Sequence, residues 1–411
     1  MRVLVVSQYF WPENFRINDL AQQLRERGHE VTVLTGQPNY PDGRFFSGYG
    51  WLRKWRETYQ GAEILRCPLL PRGRGHWFRL ALNYVSFALS ASLLAPFRCR
   101  GRYDAIFVYE PSPITVALPA LLLRALGRGP VLLWVLDLWP ESVAAASGVR
   151  SPLVLGAVAR AVRFIYRRCD LVLVQSRGFV DRVQALGAAP GKVRYFPSWA
   201  EDVFFRRVSE GDLDGLPALP AGYRVMFTGN IAVAQDFPNL LAAAELLKSH
   251  PDIHWVVIGE GRMAQWVRSE VAERGLAGQV HLLGSFPVER MPAFCAQADC
   301  LLVTLKRDPI LALVIPAKIQ AYLACGRPII GMLDGEGARL IAQAGAGFVG
   351  PTGDPAALAE NVLRMYRLPA EERARLGKAG YEHARREFSP EQLVSRLEEW
   401  MREASDAFRN R

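Results

Sequence analysis

Cysteine is scarce in this sequence, and the spacing of the cysteines argues against both a metal site and a disulfide framework. The 411 residues include six cysteines, and no two of them stand in a C-x-x-C pair. Scattered cysteines are typical of reduced, buried thiols in a cytoplasmic protein. We therefore expect no bound metal and no disulfide framework. A signal peptide is also not expected, because MRVLVVS is too short for one and polar turn residues follow it.

Acidic residues are scarce in the first half of the chain. Residues 1–200 contain 26 Lys and Arg against 13 Asp and Glu, a net charge of +13, whereas the whole chain carries +10. Such a half is expected to contact an anionic partner, which leaves nucleic acid, phosphates or an acidic membrane surface. Nucleic acid is disfavoured, because no nucleic-acid-binding module is present and the arginines flank an apolar stretch.

Glycine is absent before Gly28, including the turn YFWPENFRINDL (9–20). This turn follows the predicted strand 2–7 and leads into a predicted helix over 17–27, where many α/β folds place a glycine-rich phosphate loop. Arg16 could supply a charge-assisted donor that glycine lacks. We interpret the turn as a ligand-binding loop that uses a side chain. The alternative is that Arg16 pairs with Glu13 on the surface.

Strands and helices alternate in both halves, which predicts two α/β domains with parallel sheets. The expected division is 1–205 together with a returning helix in 386–411, and 206–385, with a linker over 207–223. The predicted strands are 2–7, 30–35, 62–67, 105–110, 131–137 and 171–176 in the first domain, and 225–230, 254–261, 280–285, 300–305, 328–333 and 347–350 in the second.

Two segments of the second half point to a phosphate ligand. FTGN turns through Gly229 and Asn230 at the end of a predicted strand. In PAKIQAYLACG, Pro316 suits the start of a helix, and Gly326 suits its end. Lys318 then lies among the free N–H groups of a helix N-terminus, a good position for a diphosphate. The alternative is a solvated surface lysine.

In order along the chain, several motifs resemble a known family. They are DLWPES (137–142), FPSWAEDVFF (196–205), GNIAVAQD (229–236) and PAKIQAYLACGRPI (316–329). Together they resemble the retaining glycosyltransferases of family 4 with the GT-B fold, in the branch that builds O-antigen, colanic acid and capsule and includes L-fucosamine transferases. The resemblance implies two facing Rossmann-like domains with an interdomain cleft, and a C-terminal helix that crosses back to the first domain.

The resemblance also implies substrates and site residues. A nucleotide-sugar donor would bind the second domain, and the acceptor mainly the first. The implied donor-binding residues are Gly229, Asn230 and Gln235 at the phosphates, Lys318 at the diphosphate, and Gly284, Phe286 and Pro287 beside the base. To these the residues themselves add Arg16 of the glycine-free turn and Gln320, which is polar and next to a missing glutamate.

The sequence departs from the family pattern at the donor site. Leu313 and Ala321 stand where the family has two glutamates. Asn230 and Gln235 replace an Arg/Lys pair, and Leu136 replaces a frequent histidine. The candidate substitutes are Gln320 or Asp308 for the carboxylates, and Lys306 or Arg307 for the positive charge.

Three carboxylates follow strands of the first domain. Asp137 and Glu141 come after the strand 131–137, and Glu110 ends the strand before it. We expect one of them to orient or deprotonate the acceptor. The alternative is that Glu141 caps a helix and Asp137 is a structural turn residue.

The stretch 78–97 is apolar and nearly long enough to span a bilayer, which needs about 20 residues. It allows a spanning helix, a buried core helix, or a helix lying in the membrane interface, and the last suits a lipid-linked acceptor. Trp51, Trp55 and Trp77 favour the interface. The flanking arginines are Arg72, Arg74 and Arg79 before it, and Arg98, Arg100 and Arg102 after it.

The resemblance therefore implies a metal-independent, retaining glycosyltransferase without a cofactor. It would move a hexose-type sugar from a UDP-linked donor to a polyprenyl-diphosphate-linked saccharide. The expected location is the cytoplasmic face of the bacterial plasma membrane, with residues 72–102 at the anionic surface. The alternative is a nucleotide-sugar epimerase of the same fold.

Overall fold

A computed structural model describes residues 1–51, 53–73, 77–143 and 151–410. Its contacts divide the chain into two compact units, Met1–Phe196 with Val394–Arg411, and Pro197–Leu393. Residues 197–205, which the sequence assigned to the first domain, therefore pack with the second. The physical reason is burial: Ala200 and Phe204 lie in the core of the second unit, and Ala200 N–H donates to the Phe388 carbonyl at 3.3 Å.

The first unit is built on an eight-stranded sheet. Its order is β3-β4-β2-β1-β5-β6-β7-β8, and every neighbouring pair is parallel except β3 with β4. The strands are β1 Arg2–Val6, β2 Glu30–Gly36, β3 Arg56–Tyr59, β4 Ala62–Cys67, β5 Ala105–Glu110, β6 Val131–Val135, β7 Leu171–Val174 and β8 Val193–Tyr195.

Continuous apolar sequences form the centre of this sheet because helices cover both of its faces. Every residue of β5 and β6 is buried. The six strands expected in this half are present. The sequence missed β3 and β8, because β3 is a polar edge strand and β8 has only three residues.

The helices before residue 197 that lie wholly within the described ranges are α1 Arg16–Glu26, α2 Trp77–Arg98, α3 Ala117–Ala125, α4 Pro152–Arg168 and α5 Val180–Ala185; residues 141–143 are also helical. The first ends as expected, because Gly28 adopts a φ of +83° just after it. The apolar stretch 78–97 is α2, and Arg74 of its expected flank lies outside the described residues.

The second unit contains a six-stranded, all-parallel sheet of order β11-β10-β9-β12-β13-β14. The strands are β9 Tyr223–Thr228, β10 Ile253–Ile258, β11 Val280–Gly284, β12 Cys300–Thr304, β13 Ile329–Met332 and β14 Gly347–Gly350. The helices are α6 Asp202–Phe205, α7 Phe237–Leu246, α8 Ala264–Glu273, α9 Met291–Ala296, α10 Ala317–Ala324, α11 Gly335–Gln343, α12 Pro355–Arg367 and α13 Ala370–Glu387.

The last helix, α14 (Pro390–Arg409), begins in the second unit and continues into the first. Its buried face includes Leu397 and Met401, both fully inaccessible. Its Glu398 lies 2.6 Å from His29 Nε2 and 3.5 Å from an Arg27 guanidinium nitrogen, at the end of α1. The return of the last helix to the first unit is therefore confirmed.

Candidate active site

Loops of the second unit meet at the carboxyl edge of its sheet, where parallel α/β sheets bind ligands. One loop starts at Gly229 after β9, and another at Gly259 after β10. Gly229 N–H donates to the Ile258 carbonyl at 2.8 Å, and a Cβ on Gly259 would collide with the Gly229 carbonyl oxygen. Both glycines have a positive φ, +126° and +145°. Glycine is therefore needed for the two backbones to approach this closely.

Lys318 points to this edge from the second position of α10. Its Nζ donates to Gln235 Oε1 at 2.5 Å and lies 3.7 Å from the centre of the Phe227 ring, a cation–π distance. It also approaches Gly229. We call Phe227, Gly229, Gln235 and Lys318 the Lys318 cluster.

The Lys318 cluster is suited to an anion. Burial lowers the pKa of Lys318 to about 7, because the ammonium loses hydration and no carboxylate in the described part of the chain compensates for it. The first N–H groups of α10 have no partner within the helix, as at every helix N-terminus. A phosphate bound there would stabilise the charged lysine and accept these donors.

The other predicted donor-binding residues lie at different depths. Asn230 is exposed and contacts the next loop beside Gly261. Gly284 ends β11, and its carbonyl accepts from Gly259 N–H at 2.7 Å. Phe286 packs on the Phe294 ring with the centroids 4.8 Å apart, and Pro287 is exposed.

Gln320 is not brought to the Lys318 cluster. It is two residues further along α10, about 200° around the helix, and is 1% exposed. Its Oε1 has no hydrogen-bond partner among the described residues. A contact between Gln320 and the donor therefore has no support from this geometry.

Apolar side chains occupy the two positions at which the family has glutamates. Ala321 is buried, and Leu313 lies in a short 3-10 turn. Asp308, one expected substitute, accepts the backbone N–H groups of Ile310 and Leu311 at 2.8 and 3.2 Å, so it holds this turn. Lys306 is exposed, and its backbone N–H donates to the Ala234 carbonyl next to Gln235.

Arg307, the other candidate for the missing positive charge, makes contacts of its own. Its guanidinium donates weakly to the Thr352 hydroxyl and carbonyl at 3.5 and 3.4 Å. Lys306 is therefore the better placed of the two substitutes, because its backbone is tied to the turn that carries Gln235.

In the first unit, a group of polar side chains gathers where β5 and β6 end. Glu110 is the last residue of β5, and Asp137 and Glu141 follow β6. Tyr166, from α4, is fully buried nearby, and the charges of Glu110, Glu141 and Asp137 add to burial in raising the pKa of its phenol. We call Glu110, Asp137, Glu141 and Tyr166 the carboxylate cluster.

The carboxylates of this cluster differ in access. Glu110 is fully buried, and no side chain among the described residues donates to its carboxyl group, while the backbone N–H groups of Asp137 and Leu136 act on it weakly. Burial, and then the charge of Asp137, raise the pKa of Glu110 well above its usual range. Asp137 and Glu141 are partly exposed. Burial also raises the pKa of Asp137, while a hydrogen bond from the Ser142 hydroxyl opposes the rise.

Arg16 begins α1 and lies near Tyr109, the residue before Glu110. Burial raises the pKa of Tyr109, and the positive charge of Arg16 opposes this rise. The alternative of a surface pair with Glu13 is not supported. Glu13 is 2% exposed, and one of its oxygens accepts the N–H groups of Asn39 and Tyr40, both at 2.7 Å.

Sequence reasoning missed Phe227 and Tyr166. Phe227 alternates with other apolar residues in β9, and Tyr166 lies on the apolar face of α4 with Val162 and Ile165. Both follow the pattern of ordinary core residues. Only their neighbours in space, Lys318 and Glu110, relate them to a site.

Comparison with known proteins gives matches along most of the chain. A glycosyl transferase 4-like domain matches residues 14–199, and the glycosyl transferases group 1 family matches residues 220–383. The Escherichia coli (strain K12) protein WcaI, named as a colanic acid biosynthesis glycosyl transferase, is 28% identical over 340 residues, covering 79% of this chain and 82% of that protein.

Two solved structures show the same fold. Sucrose-phosphate synthase from Thermosynechococcus elongatus superimposes with a TM-score of 0.74 at 18% identity, covering 99% of each chain. Anabaena Alr3699/HepE, solved in complex with UDP, superimposes with a TM-score of 0.70 at 14% identity, covering 98% of this chain and 99% of that one.

The buried Glu110 predicts a pH-dependent stability. Its pKa is raised in the folded state, so the folded protein binds more protons than the unfolded chain above about pH 4.5, and stability falls as pH rises. Glu110→Gln removes this group. In urea unfolding from pH 5 to 8, the free energy of unfolding of the variant should rise relative to that of the wild type by up to about 1.4 kcal/mol per pH unit.

The matched control is Glu382→Gln, at a side chain that is 63% exposed. Its unfolding free energy should follow the wild type at every pH. A constant difference between Glu110→Gln and the wild type across this range would contradict a raised pKa at Glu110.

Proposed function

Because the chain belongs to the GT-B glycosyltransferases of family 4, we propose that it transfers a hexose-type sugar from a UDP-linked donor, with retention, to a polyprenyl-diphosphate-linked saccharide. The product would be a bacterial surface polysaccharide. An N-acetylated amino-deoxy sugar is one candidate for the transferred group. The observation that carries the proposal is the pair of family matches, over residues 14–199 and 220–383, which span both units.

Two further observations support the nature of the substrates. The relative WcaI is named for colanic acid biosynthesis, and Anabaena Alr3699/HepE is a neighbour in fold that was solved with UDP. The Lys318 cluster offers what a UDP diphosphate needs, namely a cation at a helix N-terminus beside two close-packed glycine loops. The second unit is therefore the proposed donor site.

The proposed reaction exchanges one bond for another at the anomeric carbon. The bond from this carbon to the β-phosphate oxygen of UDP breaks, and the electron pair leaves with UDP. A bond forms from the same carbon to an acceptor hydroxyl oxygen on the same face of the sugar. Lys318 and the N–H groups of α10 would stabilise the charge that develops on the leaving diphosphate.

The carboxylate cluster supplies candidates to accept the proton of the acceptor hydroxyl. Glu110 is a poor candidate, because it is fully buried and its raised pKa favours the neutral acid. Asp137 and Glu141 are partly exposed, and Ser142 orients Asp137 by its hydrogen bond. We assign proton removal to Asp137, and we propose that Glu141 accepts hydrogen bonds from other hydroxyls of the acceptor.

Helix α2 supports a lipid-linked acceptor at a membrane surface. It is long and apolar enough to cross a bilayer, but its Asn83 is buried and paired, accepting from Gln8 Nε2 and donating to the Leu70 carbonyl, each at 2.6 Å. The opposite face is exposed. These side chains are Trp77, Phe78, Leu82, Val85, Leu89, Leu93 and Phe97.

One buried and one exposed apolar face favour a helix that lies in the membrane interface. The side chains of Arg79, Arg100 and Arg102 are exposed near its two ends and would meet anionic headgroups. We therefore propose peripheral binding at the cytoplasmic face of the plasma membrane, with α2 partly immersed.

The proposed function is tested by incubating the purified protein with UDP-sugars and a polyprenyl-diphosphate-linked saccharide. We expect a sugar-extended lipid and free UDP, with the anomeric configuration retained in the NMR spectrum of the product. EDTA should leave the rate unchanged if no metal takes part. Conversion of the UDP-sugar without any acceptor would instead indicate an epimerase.

The same assay separates the roles in the carboxylate cluster. Asp137→Asn should lower kcat by about 100-fold or more, the usual range for loss of a general base. Glu110→Gln should change kcat much less. The reverse order would contradict the assignment of proton removal to Asp137.

Lys318 should take up a proton when the donor binds. Its pKa of about 7 in the free protein leaves it mostly neutral at pH 8, and a bound diphosphate would favour the charged form. Calorimetric titration with UDP in buffers of different ionisation enthalpy should therefore show net proton uptake at pH 8. Lys318→Met should abolish the uptake and weaken UDP binding by about 10-fold or more.

Lys248→Met is the matched control, because this lysine is exposed and lies in the same unit. It should bind UDP with the wild-type proton uptake. Full transferase activity in Lys318→Met, together with unchanged proton uptake, would remove Lys318 from the donor site.

The exposed face of α2 should determine membrane binding. Leu89→Glu combined with Leu93→Glu places two charges on side chains that are 61% and 71% exposed. Because burial of one leucine is worth about 1.5–3 kcal/mol, co-sedimentation with phosphatidylglycerol vesicles should fall at least about tenfold. Added salt should weaken wild-type binding if the arginines contribute.

Leu246→Glu provides the control, since this leucine is 56% exposed in the second unit. It should sediment like the wild type. Equal vesicle binding by the α2 double variant and the wild type would contradict membrane contact through α2.

A further inference from the structure

Three aromatic side chains converge in the first unit, and a fourth, on α2, lies next to one of them. The rings of Tyr9 and Phe15 stack with centroids 4.9 Å apart, and Tyr40 lies 5.9 and 5.3 Å from them. Tyr84, on α2, is the neighbouring phenol that adds to burial in raising the pKa of Tyr9. We call Tyr9, Phe15, Tyr40 and Tyr84 the aromatic group.

The loops that carry this group are held by buried polar contacts. Glu13 accepts the N–H groups of Asn39 and Tyr40, which joins the turn before α1 to the loop after β2. The Asn39 side chain accepts the backbone N–H of Arg72 at 3.0 Å, and its Oδ1 also lies 3.4 Å from Asn83 Nδ2 on α2. The group is therefore positioned before any ligand arrives.

Two groups at the aromatic group can donate hydrogen bonds to a ligand. Tyr9 is 3% exposed, and its hydroxyl interacts with the Tyr84 phenol, which leaves this pair of phenols one O–H to donate to a ligand. The Arg72 guanidinium stacks on the Tyr40 ring with its carbon 5.0 Å from the centroid, and within the described ranges no carboxylate pairs with it. Its charge also acts on Tyr9.

A guanidinium without a carboxylate partner in the described ranges, beside a phenol pair with one O–H to donate, suits a ligand rich in acceptor oxygens. Phosphate oxygens suit both donors, and an arginine can bind a phosphate through two parallel hydrogen bonds. A sugar alone would leave the arginine charge uncompensated. The surrounding rings favour an apolar portion next to the phosphate.

The position of the aromatic group identifies the kind of phosphate. Tyr84 belongs to α2 and is followed directly by Val85, which is 51% exposed on the face assigned to the membrane interface. A ligand at Arg72 and Tyr9 could therefore extend its apolar part along α2 towards lipid. A polyprenyl diphosphate has this arrangement, with a diphosphate joined directly to an isoprenoid chain.

We propose that Arg72 and Tyr9 bind the diphosphate of the lipid-linked acceptor, while Phe15 and Tyr40 contact its first isoprene unit. This inference rests on the proposed function for the identity of the acceptor. It places the acceptor diphosphate in the first unit, on different residues from those of the Lys318 cluster.

Farnesyl diphosphate is the probe, because it contains the diphosphate and three isoprene units without a saccharide. Calorimetric titration below its micellar concentration should show binding to the full-length protein. Arg72→Met should weaken this binding about 10- to 100-fold, the loss expected for charge-assisted hydrogen bonds. Arg72→Lys should recover part of the affinity. Tyr9→Phe keeps the packing of the ring but removes the hydroxyl, so its affinity for farnesyl diphosphate should be several-fold lower.

Arg385→Met, an exposed arginine of the second unit, is the control for the loss of one charge, and it should bind farnesyl diphosphate like the wild type. UDP affinity should be unchanged in Arg72→Met. An equal loss for UDP would instead assign Arg72 to the donor, and an unchanged farnesyl diphosphate affinity would show that it only stacks on Tyr40. Inorganic diphosphate binding as tightly as farnesyl diphosphate would overturn the isoprenoid assignment.

These titrations measure binding and do not depend on sugar transfer. Their outcome therefore tests the subsite independently of the proposed function. A protein that transfers sugar but binds farnesyl diphosphate independently of Arg72 would contradict the subsite alone. A protein that transfers to no lipid-linked acceptor would contradict the proposed function, whatever the titrations show.

Discussion

Parallel strand pairing determines where this protein can assemble a site. In the second sheet, β9 pairs with β10 on one side and β12 on the other, all in the same direction. The chain must therefore leave each strand at the same edge and return through a crossover. This brings Gln235 and Lys318, which are 83 residues apart in sequence, into a hydrogen bond. In the first sheet the same rule places Glu110 and Asp137 at one edge, on neighbouring strands.

Both edges hold charged groups in surroundings that oppose their charge. Lys318 has an amide and a ring as partners rather than a carboxylate. Glu110 is buried, and no side chain among the residues described donates to its carboxyl group. Such groups lower stability unless a ligand or a proton compensates them. Their presence at the ligand-binding edge of parallel sheets is easier to explain by function than by folding.

The regular parts of the fold were predictable because they depend on local pattern. The central strands are continuous apolar segments, and all twelve predicted strands are present. The prediction failed where that pattern is weak, at the polar edge strand β3 and the three-residue β8. The turn without glycine lies between β1 and α1, as expected. The partners of Glu13 were not predictable, because the amides that donate to it belong to a loop 26 residues away.

Four features were predictable without the structure: the α/β class, twelve of the fourteen described strands, the family, and the position of Lys318 at a helix start. Each depends on residue type and on spacing along the chain. Packing was needed to show that Gln320 is buried with its Oε1 unpaired among the described residues, that Glu110 is inaccessible while Asp137 is not, and that α2 exposes one apolar face. The physical reason is that burial and charge compensation come from residues distant in sequence, which only packing brings together.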